Sequence, residues 1–295
     1  MVERLAEKQS GSVGLILGEY IWIDQATGQP LRYEEGETPG TIRPWSDGHI
    51  SVGIGGRGPV VVREFSGTGF LVDAAGRVLT SGYLLAPWER DPIARQAHTM
   101  GLRPRLRLLH IYFPSVDRPF DLKIIAASDR GEAVLCQFDP GPVRLTPLSL
   151  PSGGTNVLTG APIVLLGYPG GVELIAARLP EAALRGIEVS TLRTHDELAQ
   201  RLARAGLIRP LAIGGRISGQ YHGRLFYDGT TTFGASGGPL LNARGEVIGI
   251  EFAISPEFSG SNLAIPIKSL QRWLVETGVG LPRSEQAEWR PVPFQ

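Results

Sequence analysis

The segment Gly234-Ala235-Ser236-Gly237-Gly238-Pro239-Leu240-Leu241-Asn242 holds the residues best able to do chemistry in this chain. A serine is useful in acyl transfer when its hydroxyl is presented on a tight turn, beside backbone amides aimed at the developing oxyanion. Glycine supplies such a turn, because it accepts backbone angles that other residues resist and lets a carbonyl come close. Pro239 then ends the turn and an apolar strand begins. On this reading Ser236 is the nucleophile position, and the amides of Gly234 and Ser236 form the oxyanion hole. The same letters also describe a plain hairpin connection between two strands.

A serine hydroxyl stays a weak nucleophile until a base removes its proton, and that base needs an orienting acceptor of its own. The histidines are His49, His98, His110, His195 and His222. His110 falls in a strand pattern and His195 in a helix cap, so both read as structural. His222 precedes Ser236 by one hairpin and is the candidate for a non-standard base.

Other chemistries are poorly supplied. Cys136 is the only cysteine, so no intrachain disulfide or CxxC site can form. It sits in the apolar run Ala133-Val134-Leu135-Cys136 and reads as a buried structural thiol, compatible with a reducing compartment. The sequence holds no cluster of metal ligands and no phosphate-cradling loop opening a helix, so no metal and no cofactor are expected. The 29 basic and 29 acidic residues cancel, leaving no global field to recruit nucleic acid or an anionic membrane. Arg103, Arg105 and Arg107 read as the solvated face of a strand.

The elements that would have to position Ser236 are mostly strands. Apolar residues make up 42% and charged residues 20%, with 39 Gly and 23 Pro, which describes a globular chain rich in turns. Short apolar and β-branched runs recur between turn residues, among them Phe70-Leu71-Val72, Leu108 to Phe113, Leu122 to Ala126, Pro162 to Leu166 and Glu246 to Phe252. That is the pattern of an all-β sandwich or barrel. Helical signals are few. Thr194-His195-Asp196-Glu197 has capping-box spacing, with Leu198, Leu202 and Ala205 on one face before Gly206. A second helix is expected from about Ile267 to Thr277, before Gly278. Val13 to Leu17 is too short and too glycine-broken for a signal core or membrane span, which favours a cytoplasmic location.

The turn-rich stretch around 148–159 divides the chain best. The expected parts are 1–150, 151–280 and a proline-bearing extended tail over 281–295. A cleft between two halves would draw its residues from both.

The stretch Thr230 to Phe252, with Asn262 to Ile267, resembles the second barrel of trypsin-like peptidases, most closely the bacterial HtrA/Deg group. The residues that carry the resemblance are Gly234 to Pro239, Gly245-Glu246-Val247-Ile248-Gly249-Ile250 and Ala264-Ile265-Pro266. Upstream, Ser66-Gly67-Thr68-Gly69-Phe70 and Gly76-Arg77-Val78-Leu79-Thr80 look like the family's strands leading into its histidine. Gly167-Tyr168-Pro169-Gly170 and Gly215-Arg216-Ile217-Ser218-Gly219 are similar to two further family turns and strands. The resemblance covers roughly Ser12 to Glu276, with Trp22 to Val62 and Val172 to Ala212 fitting poorly, as partner-contacting loops would.

This resemblance implies an all-β fold of two six-stranded antiparallel barrels, chymotrypsin-like, with a C-terminal helix and an inserted helix. It also implies a degenerate triad. Tyr83 stands in the histidine slot, and an ordinary phenol, with pKa near 10, is only about 0.1% ionised at neutral pH. Gly131 stands in the aspartate slot, and strand alternation turns the neighbouring Glu132 away. Thr230 takes the floor of the specificity pocket, with Glu251, Phe252, Ala253 and Ile254 as its wall strand. The expected function is that of an inactive peptidase homologue binding a protein or peptide, the alternative being an active hydrolase that uses Ser236 with His222 or a partner's residue as base. The sequence is silent on oligomeric state.

Overall fold

The computed structural model describes residues 1–36, 51–151, 157–187, 192–253 and 262–279. His49, Ile254 and the tail over 281–295 lie outside them.

The first half of the chain runs α1 (Val2–Gln9), β1 (Val13–Asp24), β2 (Arg32–Tyr33), β3 (Val52–Gly53), β4 (Val62–Leu71), β5 (Arg77–Ser81), α2 (Gly82–Leu85), α3 (Ala94–Thr99), β6 (Leu102–Tyr112), β7 (Phe120–Asp121), β8 (Lys123–Ala127) and β9 (Ala133–Gln137). Seven of these strands form one sheet in the order β7-β6-β1-β4-β5-β9-β8. Its two edge strands are separated in the chain by Leu122 alone, so the sheet curls until its edges approach each other. It therefore holds one strand more than the six expected of a first barrel, because the segment Phe120–Ala127 pairs at both edges.

The second half runs β10 (Pro162–Gly167), α4 (Gly171–Ala177), α5 (Glu181–Ile187), α6 (His195–Arg204), β11 (Leu211–Tyr221), β12 (Arg224–Tyr227), β13 (Pro239–Leu241), β14 (Val247–Ala253), β15 (Asn262–Pro266) and α7 (Ile267–Glu276). Its six strands close into a barrel in the order β10-β11-β12-β15-β14-β13, the architecture expected from the sequence. Along β10 the alternation of side chains feeds two cores. Ile163 and Leu165 pack inside the barrel with Ile217, Leu225, Tyr227 and Leu240, while Val164 and Leu166 join the larger core of Leu15, Phe70, Leu79 and Leu135. A strand apolar on both faces is what such a double burial demands.

The helices follow local rules. Thr194 caps α6 by accepting a 3.1 Å hydrogen bond from the Glu197 amide, and Glu197 Oε2 accepts one of 2.7 Å from the Arg193 amide. Leu198, Ala199, Leu202 and Ala203 then bury one face of α6. The insertion between β10 and β11 carries α4 and α5 as well, two helices beyond the one its sequence suggested.

The chain divides into two compact units, one comprising residues 1–17, 66–85 and 110–295 and the other comprising 18–65 and 86–109. The smaller unit gathers Tyr20, Trp22, Leu31, Val61, Ala97 and Leu102 around its own core. Within it, Tyr20 donates a 2.6 Å hydrogen bond to Asp91, which also lies 3.4 Å from the Arg63 guanidinium. Arg103, Arg105 and Arg107 occupy the exposed alternate positions of β6, the solvated face anticipated for them. Cys136 is fully buried, and that burial pushes its thiol pKa well up, as befits a structural residue.

Candidate active site

The loop carrying Ser236 is held in a conformation that its glycines make possible. Gly234 and Gly237 have φ of 94° and 90°, in the left-handed region that side chains resist. A Cβ on Gly237 would collide with the Thr68 carbonyl and the Thr80 hydroxyl, and one on Gly234 with the Tyr168 carbonyl. The loop is therefore pressed against β4 and β5.

Thr68 is the clamp. Its hydroxyl donates to the Gly234 carbonyl at 2.8 Å and accepts from the Tyr168 amide at 3.0 Å, while its own amide donates to the Ser236 carbonyl at 2.9 Å. The Thr80 hydroxyl completes the set by donating to the Thr68 carbonyl at 2.7 Å. Both threonines are completely buried, so each hydroxyl needs these partners. With the carbonyls of Gly234 and Ser236 tied down, the amides of the same two residues make no hydrogen bond among the described residues, which leaves them available to an oxyanion.

From the other side, β14 closes on the loop. The Gly237 amide donates to the Glu251 carbonyl and the Glu251 amide to the Gly238 carbonyl, each at 2.8 Å. The Glu251 side chain is 0% exposed. Burial raises its pKa to about 8, against the opposing pull of the Tyr227 hydroxyl and the Ser236 side chain. Tyr227 Oη donates to Oε1 at 3.4 Å, and Oε2 has no formed hydrogen bond although Ser236 approaches the carboxyl.

Tyr83 stands in the short helix α2, with its amide donating to Ser81 Oγ at 3.2 Å. The residue is 36% exposed, and its ring packs 5.5 Å from that of Phe252, tilted by 52°. The Arg224 guanidinium lies 5.3 Å from the Phe252 ring centre and pairs with Glu132. Glu132 is thus bound to an arginine rather than to an imidazole. Gly131 has φ of 65° and offers backbone only, its carbonyl packing so closely on Gly82 that no Cβ would fit at that glycine.

Of the sequence-selected wall, Thr230 is exposed, Glu251 buried and Phe252 half-buried, and Ala253 pairs with Leu263 on the adjacent strand β15. The exposure of Thr230 contrasts with its neighbour Thr231, whose hydroxyl is buried without a partner.

The histidines are placed elsewhere. His222 has φ of 47° at the hairpin tip between β11 and β12, its ring 4.2 Å from that of Tyr221. His110 bridges Asp196 at 2.8 Å and Asp121 at 3.1 Å; burial pulls its pKa down, but these carboxylates outweigh it and hold the value above ordinary. His195 contacts Glu173, and His98 packs edge-on against Trp22. Among the described residues no imidazole hydrogen-bonds to Ser236. No group of three or more potential metal ligands occurs among them either.

Two features escaped the sequence reading. Thr68 lay in a motif but gave no sign of its bonds to a loop 166 positions away. Glu251 was assigned to a pocket wall, although a glutamate inside the apolar run Val247 to Phe252 was itself a signal.

A closed six-stranded barrel beside a curled β-sheet, with a glycine-framed serine clamped by both, defines the double-barrel class of serine peptidase folds. The chain belongs to the trypsin-like peptidase family, whose domain description, Trypsin-like peptidase domain, matches residues 67–250. It is a homologue of the HtrA type. It is 28% identical over 216 residues to HhoA of Synechocystis sp., covering 72% of this chain and 43% of that protein. It is 25% identical over 212 residues to Serine protease HTRA1B of Danio rerio, covering 72% and 35%. The chain thus spans less than half the length of these relatives. Among solved structures it is similar to Deg5, with a TM-score of 0.52, 17% identity and 94% of each chain covered. It is also similar to the serine endoprotease from Yersinia pestis, with a TM-score of 0.53, 13% identity, and 95% of this chain and 66% of that one covered. These likenesses establish the fold.

Proposed function

We propose that this chain is a trypsin-type peptidase homologue that does not hydrolyse peptide bonds and instead holds a protein or peptide at the surface around Ser236. The observation that carries this reading is Tyr83, whose ring packs on that of Phe252 and which the sequence resemblance aligns with the family's histidine. Peptide hydrolysis requires a group that takes the serine proton and returns it to the leaving amine. Loss of that group costs on the order of a millionfold in turnover, about as much as losing the whole triad.

Binding needs less. Phe233, 70% exposed and adjacent to Gly234, and Tyr221, 67% exposed, offer apolar surface with little rotamer entropy to lose. The clamped loop keeps backbone amides presented whether or not turnover follows.

Fluorescence anisotropy with a labelled, unfolded casein fragment at neutral pH reads binding and cleavage together. The reading expects a rise that holds steady over hours. A rise that decays as fragments are released, or no rise at all, would overturn it.

A further inference from the structure

Glu251 is a carboxyl whose one formed side-chain hydrogen bond among the described residues is the 3.4 Å contact from the Tyr227 hydroxyl. It is fully buried, stands in an apolar strand, and leaves Oε2 without a formed hydrogen bond. Burying a carboxyl in this way is far costlier when it is charged than when it is protonated. A glutamine would accept the Tyr227 hydroxyl in the same space with no charge to bury. The groups acting on this carboxyl among the described residues are the Tyr227 hydroxyl, from β12, and the Ser236 side chain, from the loop. The nearby charges of Arg224 and Glu132 neutralise each other beside Phe252, the next residue along β14.

We propose that Glu251 is the proton acceptor for Ser236, the two forming a serine–carboxyl pair that transfers acyl groups from activated esters. The geometry supplies each part. The backbone hydrogen bonds between Glu251 and the Gly237–Gly238 turn fix the two residues against each other. Tyr227 orients the carboxyl through Oε1 and leaves Oε2 free. The amides of Gly234 and Ser236 are available to the oxyanion. A carboxyl titrating near pH 8 is also a far stronger base when ionised than one titrating near 4.

With p-nitrophenyl acetate the step balances as follows. Ionised Glu251 takes the hydroxyl proton as Ser236 Oγ bonds to the acetyl carbon, and the carbonyl oxygen becomes an oxyanion held by the two amides. Collapse breaks the ester bond and expels p-nitrophenolate, leaving an acetyl ester on Ser236 and a proton on Glu251, which passes to solvent. Water later cleaves that ester to acetate and regenerates the hydroxyl. A phenolate leaves without being protonated, so one acceptor suffices. A peptide amine must leave with a proton, the task for which the family employs an imidazole. The inference therefore shares with the proposed function the placement of Ser236 at the nucleophile position, and it adds a chemistry that the absence of peptide hydrolysis does not touch.

The test is acetylation of Ser236 in the full chain, followed by mass spectrometry of its peptide between about pH 6 and about pH 10, with Ser236→Ala as blank. Acetylation is expected to rise through a midpoint near pH 8 and to fall about a hundredfold in Glu251→Gln. Tyr227→Phe removes a hydrogen bond to the ionised carboxyl and should move the midpoint upward, a shift that a merely structural role would not produce and that serves should Glu251→Gln fail to fold. Equal acetylation in Glu251→Gln, a midpoint unmoved in Tyr227→Phe, or no acetylation at any pH would overturn the pairing. Casein cleavage is scored in parallel. Casein left intact with Ser236 never acetylated defeats this inference alone, whereas cleavage of casein defeats the proposed function alone.

Discussion

Thr68 Oγ1 donates a 2.8 Å hydrogen bond to the carbonyl of Gly234 while accepting one of 3.0 Å from the amide of Tyr168. One buried side chain on β4 thereby sets the backbone of the loop that presents Ser236. It also leaves the Gly234 and Ser236 amides unengaged among the described residues. The frame around the serine is held by backbone and threonine hydrogen bonds, with no imidazole in it.

Replacing Thr68 by valine keeps the shape and deletes the hydroxyl, stranding a buried carbonyl and a buried amide. Thr68→Val is expected to lose about 1–3 kcal/mol of stability in urea denaturation. Thr68→Ser, which keeps the oxygen, should lose about 1 kcal/mol. Equal losses in the two variants would show that packing rather than hydrogen bonding holds the loop.

Gly131 and Gly237 separate backbone strain from steric collision. Gly131 has φ of 65° and open space around it, so Gly131→Ala should cost about 1–2 kcal/mol, from the left-handed conformation alone. Gly237 has φ of 90° and faces the Thr68 carbonyl and Thr80 hydroxyl at collision distance. Gly237→Ala should therefore cost at least about 2 kcal/mol more, read from the shift of the urea midpoint.

Glu251 should imprint a pH dependence on stability. The folded carboxyl keeps its proton up to about pH 8, whereas in the unfolded chain it ionises near its ordinary 4.5. Between those values the folded state binds the extra proton, so raising the pH favours unfolding, by at most about 1.4 kcal/mol per unit. Glu251→Gln removes this slope, and its stability should fall less than the parent's between about pH 5 and about pH 8. Identical slopes would mean that Glu251 is ionised in the folded protein.

Much of the fold and site is legible in the sequence, and the part that is not has a common cause. Features fixed by neighbours in sequence could be read directly: the capping box at Thr194 and Glu197, the glycine frame of Ser236, and the solvated arginines of β6. The helices α4 and α5 were missed because their short apolar stripes lie among glycine and proline. The seventh strand of the first sheet escaped because Phe120–Asp121 is two residues long and exists only through its pairing with β6. The gathering of residues 18–65 with 86–109 into one unit was likewise invisible. So was the approach of Glu251 to Ser236 across the β14–loop contact. Such long-range pairings are settled by tertiary packing and leave no local periodicity to read.

The central claim, that the serine frame persists without peptide-bond turnover, is tested most directly by comparing the parent with Ser236→Ala. The measurement is the rate of fragment release from unfolded casein at neutral pH. The account predicts rates equal within about twofold, since removing a hydroxyl that performs no peptide hydrolysis changes nothing. A parent rate about a hundredfold or more above that of Ser236→Ala would contradict it and show that a group beside Ser236 both takes its proton and returns one to the leaving amine.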